Sequence, residues 1–579
     1  MSTALRFPDT FPAVASNPLQ GAFWLIASIA LSTFAAVVHG NVVPLPSLLF
    51  QLLQFITLVT ALVLLGQWLR ALRAMTHGIW RLAAWLLMMA FASCAAYMAS
   101  GAFSKHDEIY SWNLWAIEHF QRQPYDMEYT QAVYPQAFAY WIASIYAAQG
   151  QFVVQWVARL AASLPVLLLL TVASGAWRPD VSKRATILGL GITVAALLAT
   201  YRDLLMGYAD PLMSAALVAS VAALLRYAQD TRRIAWLYAS VGAAVFASYT
   251  KQPAVLWVGA SLPMIALAGV IWWGWPWRAF AIVVVGAALA GFGAFVVSAG
   301  MTDNQGVISR ALGEGGVWQA LASSVNSYLI KRPLNLVLLL GSWWAVRRIP
   351  WLHMVWWLAM LPMMGLWFTL GSYESRHGIH CIWLAAVLWL TALYRVPKGA
   401  TEDDTEAPFV AAKPSHAVLP EALGVVMVLL VIGVVTSLGA RHKGTDMRDG
   451  QKSAFARQMG NLEAHDLFER LVGERAHVFV TSNYSWGLFY GRLPLYRATD
   501  HDDHATDSLA RMLVRVRADY AISAGSYAYG PHSERLLKLV ALCPEGLSEM
   551  MASVDEHFRV FAVHQEALNA CETETLNAP

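Results

Sequence analysis

Two adjacent carboxylates, Asp107 and Glu108, follow an apolar run from Leu82 to Phe103. An acid facing water at a membrane surface can take a proton from a hydroxyl or amine, so this pair is the first candidate for chemistry. Neighbouring residues on a helix diverge by about 100°. One of the two therefore turns inward, and Asp107 is the expected one. The plain alternative is an acidic helix start that favours the dipole. The loop then runs to Tyr134-Pro135, where the fixed proline φ sets an aromatic ring to face a sugar or prenyl group. Ionisable residues recur beside glycine and proline at the ends of apolar runs, a placement that points to function. They are Arg202 and Asp203, Gly207-Tyr208-Ala209-Asp210-Pro211, Lys251 two residues before Pro253, and Arg376-His377-Gly378. Asp210 before Pro211 also fits a helix cap. A lone interfacial cation is commonly a snorkelling anchor. Arg202, Lys251 and Arg376 together, on a face otherwise poor in positive charge, suggest an anion such as a phosphate.

The elements that must position these residues are membrane helices. Hydrophobic residues make up 58% of the 579, and charged residues only 13%. A soluble chain carries about 25% charged residues. A net charge of +3 without a basic block gives no reason to expect a nucleic-acid partner. The N-terminal stretch does not read as a removable signal peptide. A helix needs roughly 20 apolar residues to cross. The expected spans lie near 22–40, 46–68, 81–103, 152–175, 185–200, 209–227, 234–249, 253–273, 279–300, 333–347, 351–370, 378–395 and 420–440, about thirteen helices by the window rule. Alternate connections differ sharply in positive charge. Arg70, Arg73 and Arg81, then Arg178, Lys183 and Arg184, then Arg226, Arg232 and Arg233, then Arg347 and Arg348, and finally Arg395 and Lys398 mark one side as cytoplasmic. The N-terminus is then inside, and the loops 104–151 and 301–332 are outside.

The expected organisation is a cytoplasmic tail and two helices over 1–80 and a membrane core over 81–395. A cytoplasmic linker at 396–419, a last helix at 420–440 and a soluble extracytoplasmic domain at 441–579 follow. In that domain His477–Val480, Asp519–Ile522 and Phe558–Val563 read as strands and Ser508–Arg517 as a helix, a small α/β unit. Cys543 and Cys571 could pair there, at near even odds, since spacing does not report their separation. Ile109, Trp112, Ala116 and Phe120, flanked by Trp115 and His119, recur at helical spacing. They predict an amphipathic helix lying on the bilayer. His501-Asp502-Asp503-His504 is rich in metal-ligand types but reads as a solvated turn.

The first-loop acid of His106-Asp107-Glu108, the Tyr134-Pro135 helix entry, Gly207-Tyr208-Ala209-Asp210-Pro211 and the late Arg376-His377 turn give the chain a resemblance to the GT-C superfamily of integral membrane glycosyltransferases. It looks closest to the protein O-mannosyltransferase and aminoarabinose transferase group, over residues 80–400. Two spans precede the one entering Asp107, where such enzymes commonly have one, and the late turn reads Arg-His where many relatives show Arg-Tyr. The resemblance implies a polyprenyl-phosphate sugar donor, an extracytoplasmic glycan, lipid or protein acceptor, and a multi-pass location in a bacterial inner membrane. It implies Asp107, with Glu108 beside it, as general base, and Lys251, Arg202 and Arg376 on the donor phosphate. Tyr134, Tyr208, Asp210 and His377 would line the cavity. No cofactor is required; a divalent metal is allowed but not indicated. The competing classes are a transporter or flippase of lipid-linked glycans and a glycan ligase. Transporters commonly show internal repeats and mid-membrane charges; here no repeat is evident and such charges are few.

Overall fold

The computed structural model describes residues 18–74, 78–103, 108, 112–122, 135–175, 183–229, 231–298, 316–369, 375–393, 476–480, 495–497, 506–524, 530–552 and 558–576. The chain is mostly helical. In order the helices are α1 (Pro18–Asn41), α2 (Ser47–Ala74), α3 (Gly78–Ala99), α4 (Asn113–Gln121), α5 (Ala137–Gln149), α6 (Trp156–Ala161) and α7 (Leu164–Gly175). Then come α8 (Lys183–Leu204), α9 (Ala209–Gln229), α10 (Ile234–Thr250), α11 (Pro253–Trp273), α12 (Trp277–Ser298), α13 (Gly316–Ser324), α14 (Pro333–Val346), α15 (Pro350–Thr369) and α16 (Ser375–Leu393). Among the described residues eight helices are long and apolar enough to cross a membrane, and four shorter apolar helices accompany them. An apolar helix overlies every expected stretch from 22–40 to 378–395; the stretch 420–440 lies outside the described residues.

The bundle is layered around α9. Of its most apolar window 89% is buried, against 33% for α2, so α9 is the central helix and α2 a peripheral one. The peripheral helices present Phe34, Phe55, Leu58, Val285, Phe292 and Trp344 to the surroundings. Large apolar side chains exposed on several helices are compatible with a lipid surrounding. Trp272, Trp273 and Trp277 cluster at one turn of the bundle, and Arg347 lies over Trp344 at 5.2 Å. Both groupings suit an interface where one side of a ring is dry and the other wet.

The segment after the acidic pair departs from expectation. Helix α4 forms, but Trp112, Trp115, Ala116, Ile117 and His119 are all buried, so it does not lie on a bilayer with one polar face. It packs against α5 and α1, and the covering comes from contacts that helical periodicity cannot report. His119 stacks on Tyr140 with ring centroids 3.5 Å apart. Burial holds its pKa down to about 3, against a smaller opposing hydrogen bond with Gln136. Because the unfolded imidazole takes its proton near pH 6.5 and the folded one does not, acid favours unfolding. Stability is expected to fall between pH 6.5 and 4, by up to about 1.4 kcal/mol per pH unit. His119→Phe, which keeps the stack, should flatten that slope in detergent unfolding. An unchanged slope would remove His119 as its source.

The C-terminal region holds strands β1 (Val478–Val480), β2 (Leu495–Arg497), β3 (Tyr520–Ala524), β4 (Leu547–Ala552) and β5 (Phe558–Val563). They form one sheet in the order β2-β1-β3-β5-β4; β2, β1 and β3 run parallel, while β5 and β4 pair antiparallel. Helices α17 (Thr506–Arg515), α18 (Gly530–Leu542) and α19 (Gln565–Leu576) complete it. Side chains alternate along a strand. Phe479, Ala521, Phe561 and Leu547 face Leu509, Leu513, Leu536 and Leu568 of these helices. Val478, Ile522 and Val560 instead join the apolar core of the helical bundle, as does Met551. A register shift between Glu549 and Met551 puts Met551 on the face opposite Leu547 despite their even spacing. Cys543 and Cys571 are joined, with Cα atoms 5.9 Å apart, tying the residue after α18 to α19.

Candidate functional site

Asp210 is the centre of the site. It lies in the first turn of α9, where the helix dipole favours a carboxylate, and is only 1% exposed. Pro253, without a backbone N–H, ends α10 and starts α11. Lys251 lies in this break with an extended backbone (φ −161°, ψ 149°) and its side chain turned into the bundle. Its Nζ donates to Asp210 Oδ1 at 2.6 Å. Arg376 and His377 come from the tight turn Ser375–Gly378 that opens α16. Arg376 Nε is 3.8 Å from Asp210 Oδ2, and His377 Nε2 is 3.9 Å from Oδ1. The Arg376 guanidinium also lies over the Tyr208 ring at 4.2 Å, a cation–π contact. That turn fits only because residue 378 is glycine: a Cβ there would stand 2.2 Å from the Trp367 ring.

A second acid, Asp203 at the end of α8, braces the same turn. It accepts from Ser375 Oγ at 3.0 Å and lies 3.9 Å from Arg332 at the start of α14. Arg332 stands over Tyr328, whose ring stacks on Trp367. The long connection before α14 is thereby joined to the Asp210 cluster through side chains.

The first-loop acids are divided. Glu108 is fully buried and accepts the Gly207 N–H at 2.7 Å, one residue from Tyr208. Sequence spacing favoured Asp107 as the inward member; Glu108 points in, and Asp107 lies outside the described residues. Gly207 permits this approach, because a Cβ would meet the Phe103 ring at 2.5 Å and Glu108 Oε1 at 3.3 Å. Gly207→Ala is therefore expected to cost about 1–3 kcal/mol of stability. Gly259→Ala, where the added Cβ meets nothing within 4 Å, is the neutral comparison. Equal unfolding temperatures for the two variants would contradict the close approach.

Of the expected cations, Lys251 and Arg376 converge on one carboxylate together with His377, and Tyr208 supports them. Arg202 does not join them: it is exposed, while its neighbour Asp203 turns inward. Adjacent helical positions diverge, and Asp203 takes the inner one. Tyr134 lies outside the described residues, although Pro135 does precede α5. Two buried polar side chains went unnoticed in the sequence. His380 lies one turn beyond Arg376 and is 1% exposed, with neither ring nitrogen hydrogen-bonded among the described residues. Arg159 is buried on α6. An arginine inside the apolar run 152–175 was the signal for it.

In charge, Lys251 and Arg376 outnumber Asp210 by one before His377 is counted. Two cations facing one carboxylate can turn to an anionic ligand, while the buried Asp203 and Glu108 nearby offset their charge in the wider site. No protein-family model matches the chain, and no curated protein matches it.

Proposed function

We propose that this chain is a multi-pass membrane glycosyltransferase of GT-C type that moves a sugar from a polyprenyl-phosphate donor to an extracytoplasmic acceptor. In this reading thirteen helices cross a bacterial inner membrane, with the N-terminus inside and the Asp210 cluster and the C-terminal α/β domain outside. The observation that supports it best is the convergence of Lys251, Arg376 and His377 on buried Asp210, beside the loop that carries Asp107 and Glu108.

The acceptor oxygen or nitrogen attacks the anomeric carbon, and its proton passes to Asp107. The bond from that carbon to the phosphate oxygen breaks, and the polyprenyl phosphate departs with the electron pair. Lys251 and Arg376 hold the phosphate as its charge grows. Asp210 keeps both cations in place and neutralises part of their charge between turnovers. Glu108, bound to the Gly207 N–H, fixes the loop so that Asp107 reaches the acceptor; it is a positioning residue. In-line displacement inverts the sugar. The phosphate is already an activated leaving group, so no nucleotide enters.

The test is mass spectrometry of surface glycans from a strain lacking the gene, complemented with the wild-type chain or with Lys251→Met. The expected result is loss of one sugar substituent, restored by the wild type only. A glycan profile unchanged by the deletion would contradict the reading. Loss of a whole glycan from the surface, with no lipid-linked precursor bearing it outside, would favour transport.

A further inference from the structure

Arg159 is 5% exposed, in the short helix that follows Gln155. A guanidinium is always charged and offers five N–H donors. Nη1 donates to the Ala102 carbonyl at 2.8 Å, and Nη2 has only the thioether of Met98, at 3.9 Å. Among the described residues the Nε–H has no acceptor, and no carboxylate pairs with this side chain. A buried charge in that state is strongly destabilising on its own.

Its location connects it to the site. Ala102 precedes Phe103, whose N–H is 3.2 Å from Gln155 Oε1 and whose ring is the one that crowds Gly207. Gly207 in turn donates to Glu108 and precedes Tyr208, the ring beneath Arg376. The guanidinium thus stands at the root of the loop bearing both acids, held to the residue before Phe103. Nε–H and Nη2–H form one edge of the guanidinium fork, the edge that matches two oxygens of a phosphate. The Met98 sulfur on that edge is a weak acceptor, easily displaced.

We propose that Arg159 is a third cation of the anion site, binding the phosphate of the polyprenyl donor through its Nε and Nη2 edge. The assignment rests on the glycosyl-transfer reading above. It differs from a structural role, in which the bond to Ala102 alone would account for the side chain.

The test uses the full-length protein in detergent, with undecaprenyl phosphate as the probe and phosphatidylglycerol as the anionic-lipid control. Thermal unfolding and probe affinity are measured for the wild type, Arg159→Met and Arg159→Lys. Without lipid, Arg159→Met is expected to unfold at the wild-type temperature or above it, because an unpaired buried charge has gone. Its affinity for the probe should fall at least tenfold, with Arg159→Lys between. Lower stability with wild-type affinity would make Arg159 structural and overturn the assignment. If Arg159→Met does not fold, Arg159→Lys decides, and wild-type affinity in it overturns the assignment equally. Equal binding of phosphatidylglycerol, lost in the same variants, would make this a general headgroup site rather than a donor site. A wild-type protein that binds no undecaprenyl phosphate would sink the glycosyl-transfer reading, and this assignment with it. Normal binding in both variants would sink this assignment alone.

Discussion

Asp210→Asn should destabilise the folded protein by about 3–5 kcal/mol and abolish transfer, the largest effect expected of any single substitution in the cluster. The carboxylate is 1% exposed and, among the described residues, is the acid that meets Lys251, Arg376 and His377 together. Removing its charge sets a neutral amide against two buried cations, and the lost attraction is what lowers stability. The double variant Asp210→Asn with Lys251→Met should recover much of that stability, because the closer of the two buried cations has gone. It should recover none of the activity, since the phosphate loses a partner. Thermal unfolding of the two single variants and the double variant forms a cycle that isolates this coupling. Additive losses would show that the pair, although 2.6 Å apart, contributes no coupling.

Asp107→Asn is expected to lower the rate of sugar transfer by about 10²–10⁴-fold, the usual contribution of a placed general base. Expression and unfolding temperature should stay at the wild-type level, because asparagine keeps the size and shape of the side chain. Glu108 provides the contrast. Glu108→Gln keeps an oxygen that can accept the Gly207 N–H, so its effect should be small. Glu108→Ala frees that N–H in a buried position, and both stability and rate should drop. If Asp107→Asn retained transfer while Glu108→Gln lost it, the two residues would exchange roles.

Much of the cluster was legible in the sequence because each member stands where an apolar run meets glycine or proline. Asp210 precedes Pro211, Lys251 precedes a helix-starting Pro253, and Arg376 and His377 precede Gly378. Such positions are the ones where a backbone break aims a side chain sideways into a bundle. The same reasoning failed at Arg202, where the break faces Asp203 inward and leaves the arginine on the surface. At the acidic pair it did not foresee that Glu108 turns inward, because the contact that holds it is the N–H of Gly207, 99 residues away. The burial of α4 was also beyond periodicity, since its covering comes from α1 and α5. In the C-terminal region β1, β3 and β5 had strong apolar runs. β4, Leu-Ser-Glu-Met-Met-Ala, did not, because a bulge breaks its alternation. The strand β2 is only three residues long and is set by its parallel pairing with β1.

The most direct measurement of the central claim is release of free polyprenyl phosphate from purified donor lipid by the protein in proteoliposomes, with acceptor supplied only outside the face that carries the Asp210 cluster. The account predicts release that requires acceptor on that face and is lost in Lys251→Met. Release that proceeds unchanged in Lys251→Met, or that requires acceptor on the opposite face, would contradict it.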